Sequence, residues 1–405
     1  MKKFIGKKRD LTADSNINTN KLNNNINTSE ESSNNTQNTN QNSNKNLNNI
    51  NKIYSEGIVL KEHTHWINKI LILKYQSKHN LISSSADGKI IIYDNYPNYK
   101  PNLIIKLFGE SGITYIRELK NGSIIACSFG ALKQIHLDYN EVKNEYTYKE
   151  INYFVICTSY ISKCIELNNN NLLFISQQNS IIILEKLKNN KVQKDDKKEI
   201  NDIFIKKPPI KLLISEICIN ILQLKDDLFI SSNIRDPKFH LIEKGVNMES
   251  VNCINFYDDK FKTIYKIKNI YCTKSHENIV KIDDKYVIVG VEICLNEVNW
   301  NNKKGIELIN YKNFQIVSFY ELSNQISSIL LYNNFLFIGD NKGYVEKFIF
   351  QEKEILKQKS KRIHFYNINS ICCDNIYDNE LKQNIFLIFT GSNDNKIKII
   401  SYFND

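Results

Sequence analysis

From Ile53 onward, apolar residues recur at intervals of three. Tight examples are Ile67-Ile70-Leu73, Ile113-Ile116-Leu119, Ile161-Cys164-Leu167 and Cys218-Ile221-Leu224. Looser ones are His276-Ile279-Ile282, Ile326-Ile329-Tyr332 and Ile368-Ile371, where Asp374 takes the third place. Alone, this spacing suits a short helix as well as a bent strand. The residues after each segment decide for strand. A turn such as KNG, NNNN or KDD comes first, then a short apolar run closing on a small residue (LISSS, SIIACS, LLFIS, LFISS, YVIVG, FLFIG, IFLIFTGS). A second turn leads into another apolar run: KIIIYD, LKQIHLD, IIILEK, VNCINFYD, GIELINY, YVEKFIF, KIKIISYF. Residues 81–94, LISSSADGKIIIYD, show the unit clearly: two apolar runs joined by an Asp-Gly turn, a hairpin signature.

Seven such units begin 42 to 58 residues apart. Short strands repeating at about 40–50 residues point to a β-propeller, in which each blade buries its faces against its neighbours. A two-sheet sandwich could be built from the same hairpins, but it would not explain the ends. The last unit supplies three strands and lacks a fourth, while GIVLKEH at 57–63 precedes the first unit without a blade of its own. Pairing the two leftovers closes a ring and removes an exposed edge. The expected fold is all-β: a seven-bladed propeller over 53–405, closed by an N-terminal strand. Residues 1–52, rich in Asn, Ser, Thr and Lys with almost no branched or aromatic side chains, are expected to form a disordered low-complexity tail.

Residues 63–94 resemble the WD40-repeat family. His63 stands at the His of the family's Gly-His opening, with Glu62 in the glycine's place; Ser83 falls near its hydroxyl position, Asp87 at its turn Asp, and Tyr93-Asp94 where Trp-Asp is usual. FTGSNDNKIKIIS at 389–401 is similar, with Asp394 in the turn and Ile400-Ser401 in place of Trp-Asp. The resemblance implies that these side chains form a hydrogen-bonded network inside a blade. It also implies a protein whose partners are other proteins.

Charge does not redirect this reading. The formal net charge is +10, but four of the 54 basic residues are arginine (Arg9, Arg117, Arg235 and Arg362). Arginine is preferred for bidentate phosphate and base contacts, so nucleic acid is disfavoured as a partner. Nine cysteines without a CxxC spacing argue against a disulfide framework and a zinc site, and fit a reducing compartment. No apolar run is long enough for a membrane helix and the N-terminus has no secretory pattern, so a cytoplasmic or nuclear location is expected.

No GxSxG, phosphate loop or GxGxxG occurs. HTH at 63–65 offers two imidazoles but no third metal ligand. The expectation is therefore a non-catalytic interaction scaffold in a multiprotein assembly, with no cofactor, metal or small-molecule substrate. An RNA-binding propeller subunit of a ribonucleoprotein is the alternative. Two long links, 233–250 and 292–304, are expected to form a wall beside the channel mouth, presenting Arg235, Phe239, His240 and Trp300 as binding residues, with Met248 among them. The basic stretch KQKSKRIH at 357–364 is read as a solvated turn.

Overall fold

The computed structural model describes residues 57–75, 80–176, 180–186, 204–211, 216–235, 253–268, 271–272, 277–294, 302–351, 354–378 and 382–402. The expected tail, 1–52, lies outside them. All the regular structure described is β-strand, and no helix is long and apolar enough to cross a membrane. Each of the seven apolar segments contributes to a strand: Ile67–Ile72, Tyr115–Glu118, Glu145–Glu166, Glu216–Lys225, Ile279–Lys281, Ile326–Tyr332 and Ile368–Asp378.

Among the described residues the strands form six antiparallel sheets. They are fewer than the segments because Glu145–Glu166 belongs to two units at once. Its first part pairs with Phe129–Asn140 as an outer strand, and its last part pairs with Leu172–Ser176 as an inner one. The first unit shows the simple case, with Ile67–Ile72, Leu81–Ser85, Lys89–Tyr93 and Pro101–Lys106 laid side by side in chain order.

Period-2 alternation sends each strand's side chains into two different cores. Ile90 and Ile92 pack with Ile116, Ile124 and Ile135 of the second unit, whereas Ile91 and Tyr93 pack with Leu387, Phe389 and Ile399 of the seventh. The same division recurs along the chain, giving seven apolar cores among the described residues, each shared by consecutive units. Strands such as Leu81–Ser85 and Leu172–Ser176 are therefore buried at every position. Their small residues, Ser83 to Ser85, let the neighbouring sheet approach. At the periphery the pattern inverts: Glu354–Arg362 exposes everything but Ile355.

The ring closes as its ends require. Ile58–Leu60 pairs with Ile397–Tyr402 in the register Ile58↔Ile399, Val59↔Lys398, Leu60↔Ile397. Gly57 turns the chain into this strand at φ +79°, and a Cβ there would lie 2.7 Å from the carbonyl oxygen of Ile399. That position admits glycine for both reasons. One expectation is corrected. Residues 357–364 are not a solvated turn: Lys357 to Arg362 lie in the strand Glu354–Arg362, and His364 is buried.

Candidate functional site

Two buried networks each join side chains of a single unit. His63 Nδ1 lies 3.0 Å from Asp87 Oδ2 and its Nε2 lies 2.8 Å from Ser83 Oγ. Asp87 also accepts the amides of Thr64 and Lys89, and the turn is set by Gly88 at φ +79°. Burial opposes ionisation of Asp87, but the hydrogen bond from His63 and these amides outweigh it and hold the carboxyl well below the usual carboxylate range. Tyr93, where the family has Trp, adds a hydroxyl that hydrogen-bonds Ser83 and reaches Glu62 Oε2 at 3.4 Å.

The seventh unit repeats the arrangement. His364 Nδ1 is 2.9 Å from Asp394 Oδ2 and Nε2 is 2.8 Å from Thr390 Oγ1. Even the turn is copied: Ser85, Asp87 and Lys89 correspond to Ser392, Asp394 and Lys396, linked by the same two hydrogen bonds. An acid, an imidazole and a hydroxyl in line resemble a nucleophile triad, but Ser83 and Thr390 are fully buried, so no substrate can reach either oxygen. These networks stiffen blades.

A second set of polar side chains links one unit to the next. In four of the seven segments the residue after the first position donates to the carbonyl of the following segment's first residue. Asn68 Nδ2 reaches Ile113 O at 2.7 Å, Thr114 Oγ1 reaches Ile161 O at 2.6 Å, Ser327 Oγ reaches Ile368 O at 2.7 Å, and Asn369 Nδ2 reaches Ile67 O at 2.7 Å. At the other end of the inner strands, Glu118 and Glu166 accept backbone amides of the preceding unit's turn, from Lys74 and Lys120.

This collar surrounds a cavity of about 620 Å³. Its wall carries amides (Asn68, Asn341, Asn367, Asn369, Asn393), and the buried Oδ1 atoms of Asn341 and Asn367 have no hydrogen-bond partner among the described residues. Aromatic rings stand around the mouth. Trp66 (51% exposed) and Tyr160 (48%) line the cavity, and Trp66 also borders a second hollow of about 690 Å³ with Phe365 (69%) and Tyr366 (60%). Phe129 packs edge-on against Tyr160 at 5.0 Å between centroids. Each of Trp66, Tyr160, Phe365 and Tyr366 sits just before an inner-strand segment: Trp66, Phe365 and Tyr366 in the links that enter their units, and Tyr160 within the continuous strand Glu145–Glu166.

The residues expected at the site divide into two groups. His63, Ser83, Asp87 and Tyr93 come together in one network, and Asp394 enters the other. Arg235 ends the strand Leu228–Arg235, opposite Glu216, rather than standing in a loop. The link expected at 292–304 is shorter than that, because Tyr286–Cys294 and Asn302–Asn310 continue the ladder from both sides. Phe239, His240, Met248 and Trp300 lie outside the described residues. Sequence reasoning missed Trp66 and His364. Trp66 was signalled by an aromatic residue directly before an apolar segment, and His364 by a lone His 30 residues before Asp394, where the first unit has 24. Among the described residues no three His, Cys, Asp or Glu side chains group as metal ligands. His63 has both ring nitrogens engaged, and His65 packs against Trp66 instead.

No protein-family model and no curated protein matches the chain at the level of sequence. Solved structures do match its fold. A chain of the mitotic checkpoint complex crystal structure aligns with TM-score 0.57 and 9% identity, over 86% of this chain and 94% of that one. Sqt1 of Saccharomyces cerevisiae aligns with TM-score 0.58 and 9% identity, over 87% and 100%. The WD40 β-propeller domain of Doa1 gives 0.57 and 10%, over 86% and 96%. The fold is a WD40 β-propeller. At these identities the likeness is one of architecture.

Proposed function

We propose that the protein is a non-catalytic interaction scaffold that seats a partner polypeptide on the mouth of its channel, within a multiprotein assembly. One observation carries this reading: four large aromatic side chains, each about half exposed or more, flank an amide-lined cavity in which two buried oxygens lack donors among the described residues. Exposed aromatics grouped on one face are typical anchors for a partner, and unpaired acceptors beside them fit the backbone N–H groups of an inserted segment. A fold related to that of a chain in the mitotic checkpoint complex is consistent with this use.

The experiment is affinity capture of partners from the native cell with the wild-type chain and with Trp66→Ala/Phe365→Ala. Loss of the main protein partner, with the melting temperature within about 2 °C of wild type, is the expected result, because exposed rings contribute little to the core. Undiminished capture by the double variant overturns the reading. Capture of RNA that fades steeply as salt rises would instead establish the nucleic-acid alternative. The long-link wall is tested alongside: if Arg235→Ala/Trp300→Ala loses the partner and the Trp66 pair does not, binding belongs to the links.

A further inference from the structure

In the sixth, seventh and first units, the turn of one unit rests on the link that enters the next, and these contacts set cations beside the exposed rings. Ile363 N and His364 N donate to Gly343 O at 2.8 and 3.0 Å, which seats the sixth unit's turn against the seventh unit's entry link. Asn395 Nδ2 donates to Thr64 O at 3.2 Å, which seats the seventh unit's turn against the first unit's link. The first of these turns carries Lys342 and the second Lys396, and Arg362 ends the strand that runs into the link at Phe365. Lys396 lines the hollow of about 690 Å³ together with Trp66, Phe365 and Tyr366. The Arg362 guanidinium lies 5.5 Å from the Phe365 ring centroid and 5.9 Å from that of Tyr344.

The carboxylates of this rim face inward. Asp340 pairs with Ile326 as Ser85 does with Ile67 and Ser392 with Ile368, so Lys342 stands where the first and seventh units keep Asp87 and Asp394. Residues 340–344, 361–367 and 392–398 hold five cations, Lys342, Lys361, Arg362, Lys396 and Lys398, against two carboxylates, Asp340 and Asp394. Both acids are buried and engaged. Asp340 accepts from the amides of Lys342 and Tyr344 and from Asn324 Nδ2, and Asp394 from His364 and the amide of Lys396. Lys342, Arg362 and Lys396 form no ion pair among the described residues. Rings beside outward-facing cations complement a segment that combines apolar side chains with carboxylates. Arg362 decides between such a polypeptide and RNA. Its Nε and Nη2 donate to the carbonyls of His364 and Phe365 at 3.3 and 3.5 Å, so the fork that would grip a phosphate is committed and a point charge is left.

We propose that the mouth selects an acidic polypeptide segment, whose apolar side chains enter the hollow beside Trp66 while its Asp and Glu carboxylates meet Lys342, Arg362 and Lys396. This rests on the reading of the mouth as a polypeptide seat and adds the chemistry of the occupant.

Fluorescence anisotropy with the full chain tests three fluorescein-labelled probes: a peptide of alternating Glu and Tyr, its Lys-Tyr counterpart, and a short oligouridylate. At low salt the acidic peptide should bind about tenfold or more tighter than the basic one, the scale of two or three exposed ion pairs, and the margin should shrink as salt rises. Lys342→Glu/Lys396→Glu should cancel the margin; the turns use the backbone amides of these lysines, which the substitutions keep. Should the added charge beside Asp340 and Asp394 prevent folding, Lys342→Gln/Lys396→Gln must cut the margin by about threefold or more. Trp66→Ala/Phe365→Ala should weaken both peptides alike. Equal binding of the two peptides by the wild type, lost in the ring variant, overturns the acidic preference and leaves the seat standing. Binding that the ring variant retains in full overturns the seat and this proposal with it. A margin unchanged by the lysine substitutions overturns the role of the rim. Tighter binding of the oligouridylate through the same lysines overturns the proposal in favour of RNA, and no binding of any probe overturns it outright.

Discussion

Asn369 donates its side-chain amide to the carbonyl of Ile67 across 2.7 Å, joining residues 302 positions apart in the chain. It is the same bond that Asn68 makes to Ile113 one unit further on, so the seam between the last unit and the first is built like an internal joint. The seam has a second fastening in the pairing of Ile58–Leu60 with Ile397–Tyr402. A third is the shared core of Ile70, Tyr93, Phe389 and Ile399.

Removing the closing strand should therefore act on the whole ring. Deletion of residues 55–62 leaves Ile397–Tyr402 as an open apolar edge and strips Leu60 from its core. A large drop in melting temperature and aggregation on heating are expected, whereas deletion of 1–50 should leave the melt nearly unchanged. Asn369→Ala, a milder lesion at the same seam, should cost about 1–2 kcal/mol. Equal melts for the two truncations would remove the argument for closure.

The buried networks make a different prediction, because they are locally rather than globally arranged. His63→Ala leaves the Asp87 carboxylate buried without its main partner and should destabilise the fold by about 3 kcal/mol. The folded carboxyl has a pKa far below its unfolded value of 3.8. Its contribution is therefore complete above that pH and is lost as acid titrates the folded group. Asp394, also lowered, behaves in the same sense. Urea melts from pH 2 to pH 4.5 should show wild-type stability climbing through the acid range. Asp87→Asn should flatten part of that climb; an unchanged slope would mean the pair contributes nothing.

The sequence was readable wherever the physics is local. The triplet spacing of Ile67-Ile70-Leu73 and its copies was legible because two neighbouring sheets each demand an apolar residue from the same inner strand. The His63 network was legible because its members fall within one hairpin and its approach. His364 was not: the long hairpin from Ile368–Asp378 to Gln383–Ser392 pushes Asp394 further along the chain and hides the matching interval. Nor was the fusion of two units through Glu145–Glu166, since a strand that continues without a turn carries no punctuation. The ion pair of Lys69 with Glu277 was illegible for a third reason. Its partners, 208 residues apart, meet only after the ring has closed, and nothing in their flanking residues marks them.

Glu307 supplies the last prediction. It lies on the strand Asn302–Asn310, opposite Val289 on one side and Phe319 on the other, in the core that joins the fourth and fifth units. The residue is 2% exposed, and its Oε2 has no hydrogen-bond partner among the described residues. Burial alone raises its pKa to about 7, against 4.5 for the free group. The sign is opposite to that of Asp87. The folded chain keeps this proton after the unfolded chain has released it, so the neutral acid is tolerated below pH 4.5 and stability falls as pH rises towards 7. Above neutrality the carboxylate is buried unpaired, at a cost of roughly 2–3 kcal/mol. Glu307→Gln keeps the shape and removes the charge. It should melt several degrees above wild type at pH 8 and close to it at pH 5, with the gap opening between. If the gap is the same at both values, the carboxyl is already satisfied, and the weakness between these two units lies elsewhere.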